Sequence, residues 1–205
     1  GGHPVSVIGI LLAGGASARF PSGKLDAVIP ATLADQRGRP ELAGVRVIDA
    51  AYATLIAAVS EVLVLGEPNL RSPAVCIPDK RPRAGPAASL ADLLASDRLR
   101  DHRASTRLII VAGDAPFAPP PLLGLMAAAT GSVILRADEP LPLATSLGAL
   151  RAAVAVNGEL PRLRDLAGAL AAAILDARIV SRLDPLGTAL ADIDTPDDLK
   201  ASTPR

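Results

Sequence analysis

Aromatic side chains are nearly absent: the 205 residues hold two Phe, one Tyr and no Trp. Readers of single-stranded nucleic acid stack bases on aromatic platforms inside a positive groove. This chain lacks the platforms, and its 21 Lys+Arg balance 21 Asp+Glu to a formal net charge of zero. Nucleic acid and anionic membrane surfaces are therefore not expected partners. Histidine is scarce as well. Only two are present, His3 and His102. His102 lies in the polar stretch 97–106, which argues against a Ser-His-Asp triad or a histidine-built zinc site. The single cysteine, Cys76, excludes an internal disulfide. Its neighbours Ala74, Val75 and Ile77 mark it as a buried strand thiol, and a lone thiol suits a cytoplasmic protein. The apolar runs Val5–Ala13 and 167–175 are too short to span a bilayer. Gly1-Gly2-His3 reads as a tag remnant, leaving 4–205 as one domain.

What is present is Ala, Leu, Val and Ile, which dominate an apolar fraction of 50%. That is enough to bury a sizeable core at this length. Strand-like runs alternate with helix-like segments. Strands are expected at Val5–Leu12, Glu61–Leu65, Ala74–Ile77, Arg107–Ala112, Ser132–Leu135, Leu141–Ala144 and Ala177–Val180. Helices are expected at Val47–Val59, Pro86–Ala95, Pro119–Ala129, Leu163–Ala173 and Thr195–Ala201. Pro30, Gly38, Pro40 and Gly44 make 27–46 an irregular excursion. This alternation predicts an α/β protein with a largely parallel sheet covered on both faces.

Ligands of such sheets collect at the carboxyl ends of the strands. The first strand runs into Leu12-Ala13-Gly14-Gly15-Ala16-Ser17-Ala18-Arg19-Phe20-Pro21-Ser22-Gly23-Lys24. Adjacent glycines let backbone N–H groups turn inward as an anion nest, Ser17 adds a hydroxyl, and Arg19 and Lys24 add two cations. The stretch fits a triphosphate cradle. It is neither a Walker A loop nor a dinucleotide fingerprint, because the glycine spacing is wrong for both. An ordinary glycine-rich turn with two solvated cations is the competing reading. Asp114 follows the clearest central strand. It either caps the next helix or holds a hard cation, and Pro116, Pro119, Pro120 and Pro121 delay that helix and weaken the capping reading. In Asp192-Ile193-Asp194-Thr195-Pro196-Asp197-Asp198-Leu199, capping explains most of the acids, and Asp194 is the candidate for a second metal contact. Asp79 and Gly85-Pro86 flank a basic loop and a helix start, where free N–H groups suit a base edge or a phosphate.

Taken together, these segments resemble the nucleotidyltransferases of the molybdenum-cofactor family, the MobA-like enzymes. The likeness covers nearly the whole chain and keeps the order of the motifs. Leu12 to Lys24 is similar to the family's opening loop, with Phe20 for its Met and Pro21 for its Gly. Asp114-Ala115-Pro116-Phe117 resembles its metal-carrying motif, and Gly85-Pro86 its helix start. Glu139-Pro140-Leu141-Pro142-Leu143 resembles its Pro-Leu segment, and Asp192 to Leu199 its closing motif. The resemblance implies a single-domain three-layer α/β/α Rossmann-like fold of the nucleotide-diphospho-sugar transferase type. It implies Mg²⁺ on Asp114 and Asp194, with Arg19, Lys24 and Asp114 as catalytic residues. Nucleotide contacts fall to Leu12, Ala13, Gly14, Gly15, Ser17, Arg19, Lys24, Asp79 and Gly85. The implied reaction moves NMP from an NTP, GTP favoured, to a phosphate of molybdopterin. A CTP-using cytidylyltransferase or a non-catalytic nucleotide-binding relative is the alternative.

Overall fold

The computed structural model describes residues 6–14, 23–81, 84–157 and 160–200. Seven strands form one sheet: β1 (Val7–Leu12), β2 (Glu61–Leu65), β3 (Val75–Ile77), β4 (Arg107–Ala112), β5 (Val133–Arg136), β6 (Glu139–Ser146) and β7 (Ala173–Ile174). Their order is β3-β2-β1-β4-β6-β5-β7. The β3-β2-β1-β4 half is parallel, and β6 alone runs against its neighbours β4 and β5. The described helices are α1 (Ala31–Gln36), α2 (Val47–Ile56), α3 (Pro86–Leu94), α4 (Asp97–Arg100), α5 (Pro120–Ala128), α6 (Leu147–Asn157), α7 (Leu163–Ala169) and α8 (Ala177–Leu183).

The central strands read as unbroken apolar runs because both of their faces are covered. Side chains alternate across the sheet: Ile8, Ile10, Leu108 and Ile110 enter one core, Leu11, Ile109 and Val111 the other. Both cores are closed to solvent, with Ile10, Leu11, Ile109 and Ile110 at 0% exposure. Burying each such side chain contributes about 1.5–3 kcal/mol. A third, smaller cluster gathers Ile29, Leu33, Leu42, Phe117 and Ile193 beneath the excursion after the first loop. The result is the three-layer α/β/α arrangement expected from the sequence. No helix among the described residues is long and apolar enough to cross a membrane.

Several local expectations fail. Residues 177–180 form the start of α8 rather than a strand. Asp176 caps that helix, its Oδ1 accepting from the Arg178 N–H at 2.7 Å, which satisfies one of the free N–H groups of the first turn. The edge strand lies earlier, at Ala173–Ile174, and the helix expected over Leu163–Ala173 ends at Ala169. The expected excursion at 27–46 contains α1 and a 3₁₀ turn at Pro40–Leu42. Helix α6 is an addition, started by the Ser146 hydroxyl accepting from the Ala149 N–H at 3.1 Å. Cys76 is exposed rather than buried. It sits on the three-residue edge strand β3, which has a sheet neighbour on one side only.

Candidate functional site

Strand order reverses between β1 and β4, since β2 and β3 lie outward of β1 and the chain then returns to pair β4 on its other side. The carboxyl ends of β1 and β4 thus frame the crevice that parallel sheets use for ligands. Three glycines shape its floor. A side chain on Gly14 would meet Asp79 Oδ2 at 2.6 Å, and one on Gly66 would meet the Gly14 nitrogen at 2.8 Å. One on Gly113 would press on the Leu12 carbonyl at 3.0 Å. These close approaches require glycine and leave backbone as the lining.

Asp114 follows β4, and its carbonyl accepts from the Ile193 N–H at 2.9 Å. That bond brings the 192–194 segment alongside the strand tip from the far end of the chain. Asp194 and Asp114 then converge on Lys24. The Lys24 ammonium donates to Asp194 Oδ1 at 2.8 Å and to Asp114 Oδ2 in a very short contact. Lys24 and Asp114 side chains are 18% and 19% exposed, and Asp194 is 44% exposed. Burial alone would lower the Lys24 pKa. The hydrogen bonds and charges of Asp114 and Asp194 outweigh it and hold the ammonium above its ordinary value. Asp192, beside them, is pushed up by burial and by the charges of Asp194 and Asp114.

Capping does not occupy Asp194. That role falls to Asp198, whose Oδ2 accepts from the Thr195 N–H at 2.7 Å, the Asp194 N–H at 3.0 Å and the Thr195 hydroxyl at 2.9 Å. Asp194 is thereby free to face Lys24. Two hard carboxylates closing on one cation form a site that suits Mg²⁺, which takes one or two carboxylates and completes its shell with water and substrate phosphate. Among the described residues no group of three or more His, Cys, Asp or Glu is arranged to hold a metal without such help.

Further along the same edge, Asp79 lies between Gly14 and Ser89, whose hydroxyl donates to Asp79 Oδ1 in a short bond. In sequence, Ala88-Ser89-Leu90 is only closer to the cytidylyl branch of the family, and Ser89 is not among the expected site residues. It lies one turn after Gly85, which starts α3 with a φ of 89°. On the other flank, a cavity of about 220 Å³ is lined by Asp114, Glu139, Pro140, Leu141, Pro142 and Asp192 among others.

The expected site residues therefore separate into groups. Lys24, Asp114 and Asp194 meet. Gly14 and Asp79 meet a short way off, with Gly85 at the adjacent helix start. Leu12 and Ala13 lie on the crevice floor, but the Ala13 N–H is committed to the Leu65 carbonyl at 2.8 Å and the Leu12 carbonyl to the Gly113 N–H at 2.9 Å. Each of these bonds fixes the floor, and the Leu12 carbonyl keeps a second lone pair. Gly15, Ser17 and Arg19 fall outside the described residues.

A family model described as the MobA-like NTP transferase domain matches residues 9–184. A search of curated proteins finds no significant match. Among solved structures, a nucleotidyl transferase from Methanothermobacter superposes with a TM-score of 0.62 at 18% identity, covering 94% of each chain. Molybdopterin-guanine dinucleotide biosynthesis protein A from Archaeoglobus fulgidus gives the same TM-score of 0.62, 18% identity and 94% coverage of each chain. A 2-C-methyl-D-erythritol 4-phosphate cytidylyltransferase from Thermus thermophilus gives 0.56 at 18% identity, covering 93% of this chain and 94% of its own. At these identities the likeness establishes a shared fold.

Proposed function

The chain belongs to the MobA-like NTP transferase family, and on that premise we propose that it moves GMP from GTP to a phosphate of molybdopterin, releasing pyrophosphate. The observation that carries this reading is the convergence of Asp114 and Asp194 on one cation at the switch point of the sheet. Asp114 and Asp194 would hold Mg²⁺, which would supply charge neutralisation at the α-phosphate.

The chain's own residues do the rest. Lys24, held as an ammonium by Asp114 and Asp194 in the absence of the ion, would supply its positive charge to the triphosphate when Mg²⁺ takes those carboxylates. The family resemblance assigns Arg19, Ser17 and Gly15 to the same triphosphate as donors. The acceptor phosphate is already ionised near neutral pH, so its oxygen attacks the α-phosphorus without a general base. A new P–O bond forms as the bond to the β-phosphate oxygen breaks, and pyrophosphate carries away that electron pair. Catalysis is then positioning and charge stabilisation.

Asp79 supports GTP over CTP. A carboxylate is acceptor-only, and guanine offers it two adjacent donors, N1–H and the 2-amino group, where cytosine offers one. Ser89 fixes the carboxylate by holding its other oxygen. The acidic, Pro- and Leu-lined cavity beside Asp114 is the seat for the acceptor, its Glu139 and Asp192 facing a head group that carries N–H donors.

The test is pyrophosphate release from each of the four NTPs, with and without molybdopterin and Mg²⁺, for the wild type and Asp114→Ala. The expected result is Mg²⁺-dependent release with GTP that Asp114→Ala abolishes while the circular dichroism spectrum is unchanged. Release that survives the substitution removes Asp114 from the reaction. Release with CTP alone makes the enzyme a cytidylyltransferase, and nucleotide binding without release makes it a non-catalytic relative.

A further inference from the structure

The amino-terminal end of the central strands, opposite the crevice, holds a second cavity, of about 480 Å³, between the starts of β1 and β4 and the end of α5. Val7, Ala58 and Ala127 give it apolar walls, and Ser105, Thr130 and Arg107 its polar atoms. Its volume lies in the range of small-molecule pockets. The crevice that takes the substrates is about 20 Å away along β4, at roughly 3.3 Å per residue.

Arg107 is the unusual feature. It is only 7% exposed. Its Nε donates to the Ala127 carbonyl at 3.1 Å and Nη2 to the Gly131 carbonyl at 2.9 Å. Both partners are neutral, and they account for two of the five N–H donors of a guanidinium. No carboxylate pairs with Arg107 among the described residues. The contrast within the same protein is Arg46, similarly buried, which is paired with Asp49 at 2.7 Å and Asp26 at 3.0 Å. Burying a charge without a counter-ion is costly, and desolvation accordingly pulls the Arg107 pKa below the ordinary arginine value. The two carbonyls explain why Arg107 closes the end of α5. They do not neutralise it, and they do not explain why it faces an apolar cavity.

We propose that this cavity is a binding site for a small organic anion with an apolar body. The anionic head, a carboxylate, phosphate or sulfonate, sits on Arg107 with Ser105 and Thr130 as further donors. The body lies along Val7, Ala58 and Ala127. This assignment is independent of the nucleotidyl-transfer reading.

The test uses two probes of one shape, 8-anilino-1-naphthalenesulfonate and its uncharged analogue N-phenyl-1-naphthylamine, titrated by fluorescence into the full chain. Gly124 lines the cavity and has no atom within 4 Å of an added Cβ, so Gly124→Leu fills the space without straining α5. Arg107→Gln removes the charge and keeps a donor. The expected result is one saturable sulfonate site per chain, a raised Tm with the probe bound, and at least tenfold weaker binding in both variants. The uncharged probe should bind the wild type at least tenfold more weakly than the sulfonate. Sulfonate binding that does not saturate, that ignores Gly124→Leu, or that the uncharged probe matches would overturn the proposal. Should Arg107→Gln fail to fold, Gly124→Leu and the probe pair still decide.

Discussion

Replacing Lys24 by Met keeps the length of the side chain and removes its charge. It leaves Asp114 and Asp194 facing each other without the ammonium between them. A hydrogen bond to a charged group contributes about 1.5–3 kcal/mol, and the enclosed Lys24–Asp114 bond belongs near the lower end of that range. The Lys24–Asp194 bond counts for about 0.5 kcal/mol, because Asp194 is 44% exposed and solvent screens it. The expected loss is about 2 kcal/mol. For a chain of this size that is a fall in Tm of about 4–8 °C, read by circular dichroism in EDTA.

The same geometry predicts rescue. The ammonium occupies the place of the cation, so a divalent ion stabilises the variant more than the wild type. A site with a dissociation constant of about 1 mM returns about 1.4 kcal/mol at 10 mM Mg²⁺, most of the deficit. In the wild type the ion competes with Lys24, and the gain is small. Lys24 is raised above the ordinary lysine value of 10.5. Its contribution is thus complete below pH 10.5 and is lost as pH rises through the folded value. The gap between wild type and variant should be flat from pH 6 to 9 and close at higher pH. Equal Mg²⁺ gains in the two proteins, or an undiminished Tm in Lys24→Met, would refute the shared-cation argument.

Asp79→Asn should lower kcat/KM for GTP by about 10–150-fold, the loss of a charge-assisted hydrogen bond, and narrow the preference over CTP; a steady-state comparison of the two nucleotides reads both effects. Gly9→Ala should cost about 1–3 kcal/mol in urea denaturation, because the new methyl would lie 2.7 Å from Leu55 Cγ. Asp198→Ala should cost about 0.5–2 kcal/mol at pH 7 as a lost cap. Burial tends to raise the Asp198 pKa, but the hydrogen bonds from Thr195 and Asp194 outweigh it and hold the carboxyl below its ordinary value of 3.8. That contribution is present above pH 3.8 and lost as pH falls through the folded value, so the two proteins should unfold alike in strong acid.

The strands most legible in the sequence were those buried on both faces, because nothing polar interrupts Ile8–Leu12 or Leu108–Val111. Short, exposed elements were not legible. Ala-Arg-Ile-Val at 177–180 carries no period long enough to separate strand from helix. The deciding signal was Asp176 as a cap, which apolar content alone outvoted. Cys76 failed for a related reason: three apolar neighbours describe a strand equally well at the centre of a sheet or at its edge, and only sheet order distinguishes them.

Single segments made a residue's own role legible, whereas the grouping of Asp114 with Asp194 and Lys24 across the chain came only with the family resemblance. Asp114 could be singled out because an acid at the tip of a buried strand has few structural uses. Its partnership with Asp194 and Lys24 spans 80 and 90 residues, and no spacing rule predicts it. What sequence does carry is the competition for each acid. The closing motif holds four aspartates, and a cap needs one. Asp198 is the acid of the capping box, shared with Thr195, and Asp197 pairs with Lys200 at 2.6 Å. Asp192 and Asp194 are left over on the side facing Asp114. Together with Asp114 they concentrate negative charge, which the fold offsets with Lys24. Violations of local consistency concentrate at functional sites, so on the proposed reading Lys24→Met should unmask a metal site rather than merely weaken the fold.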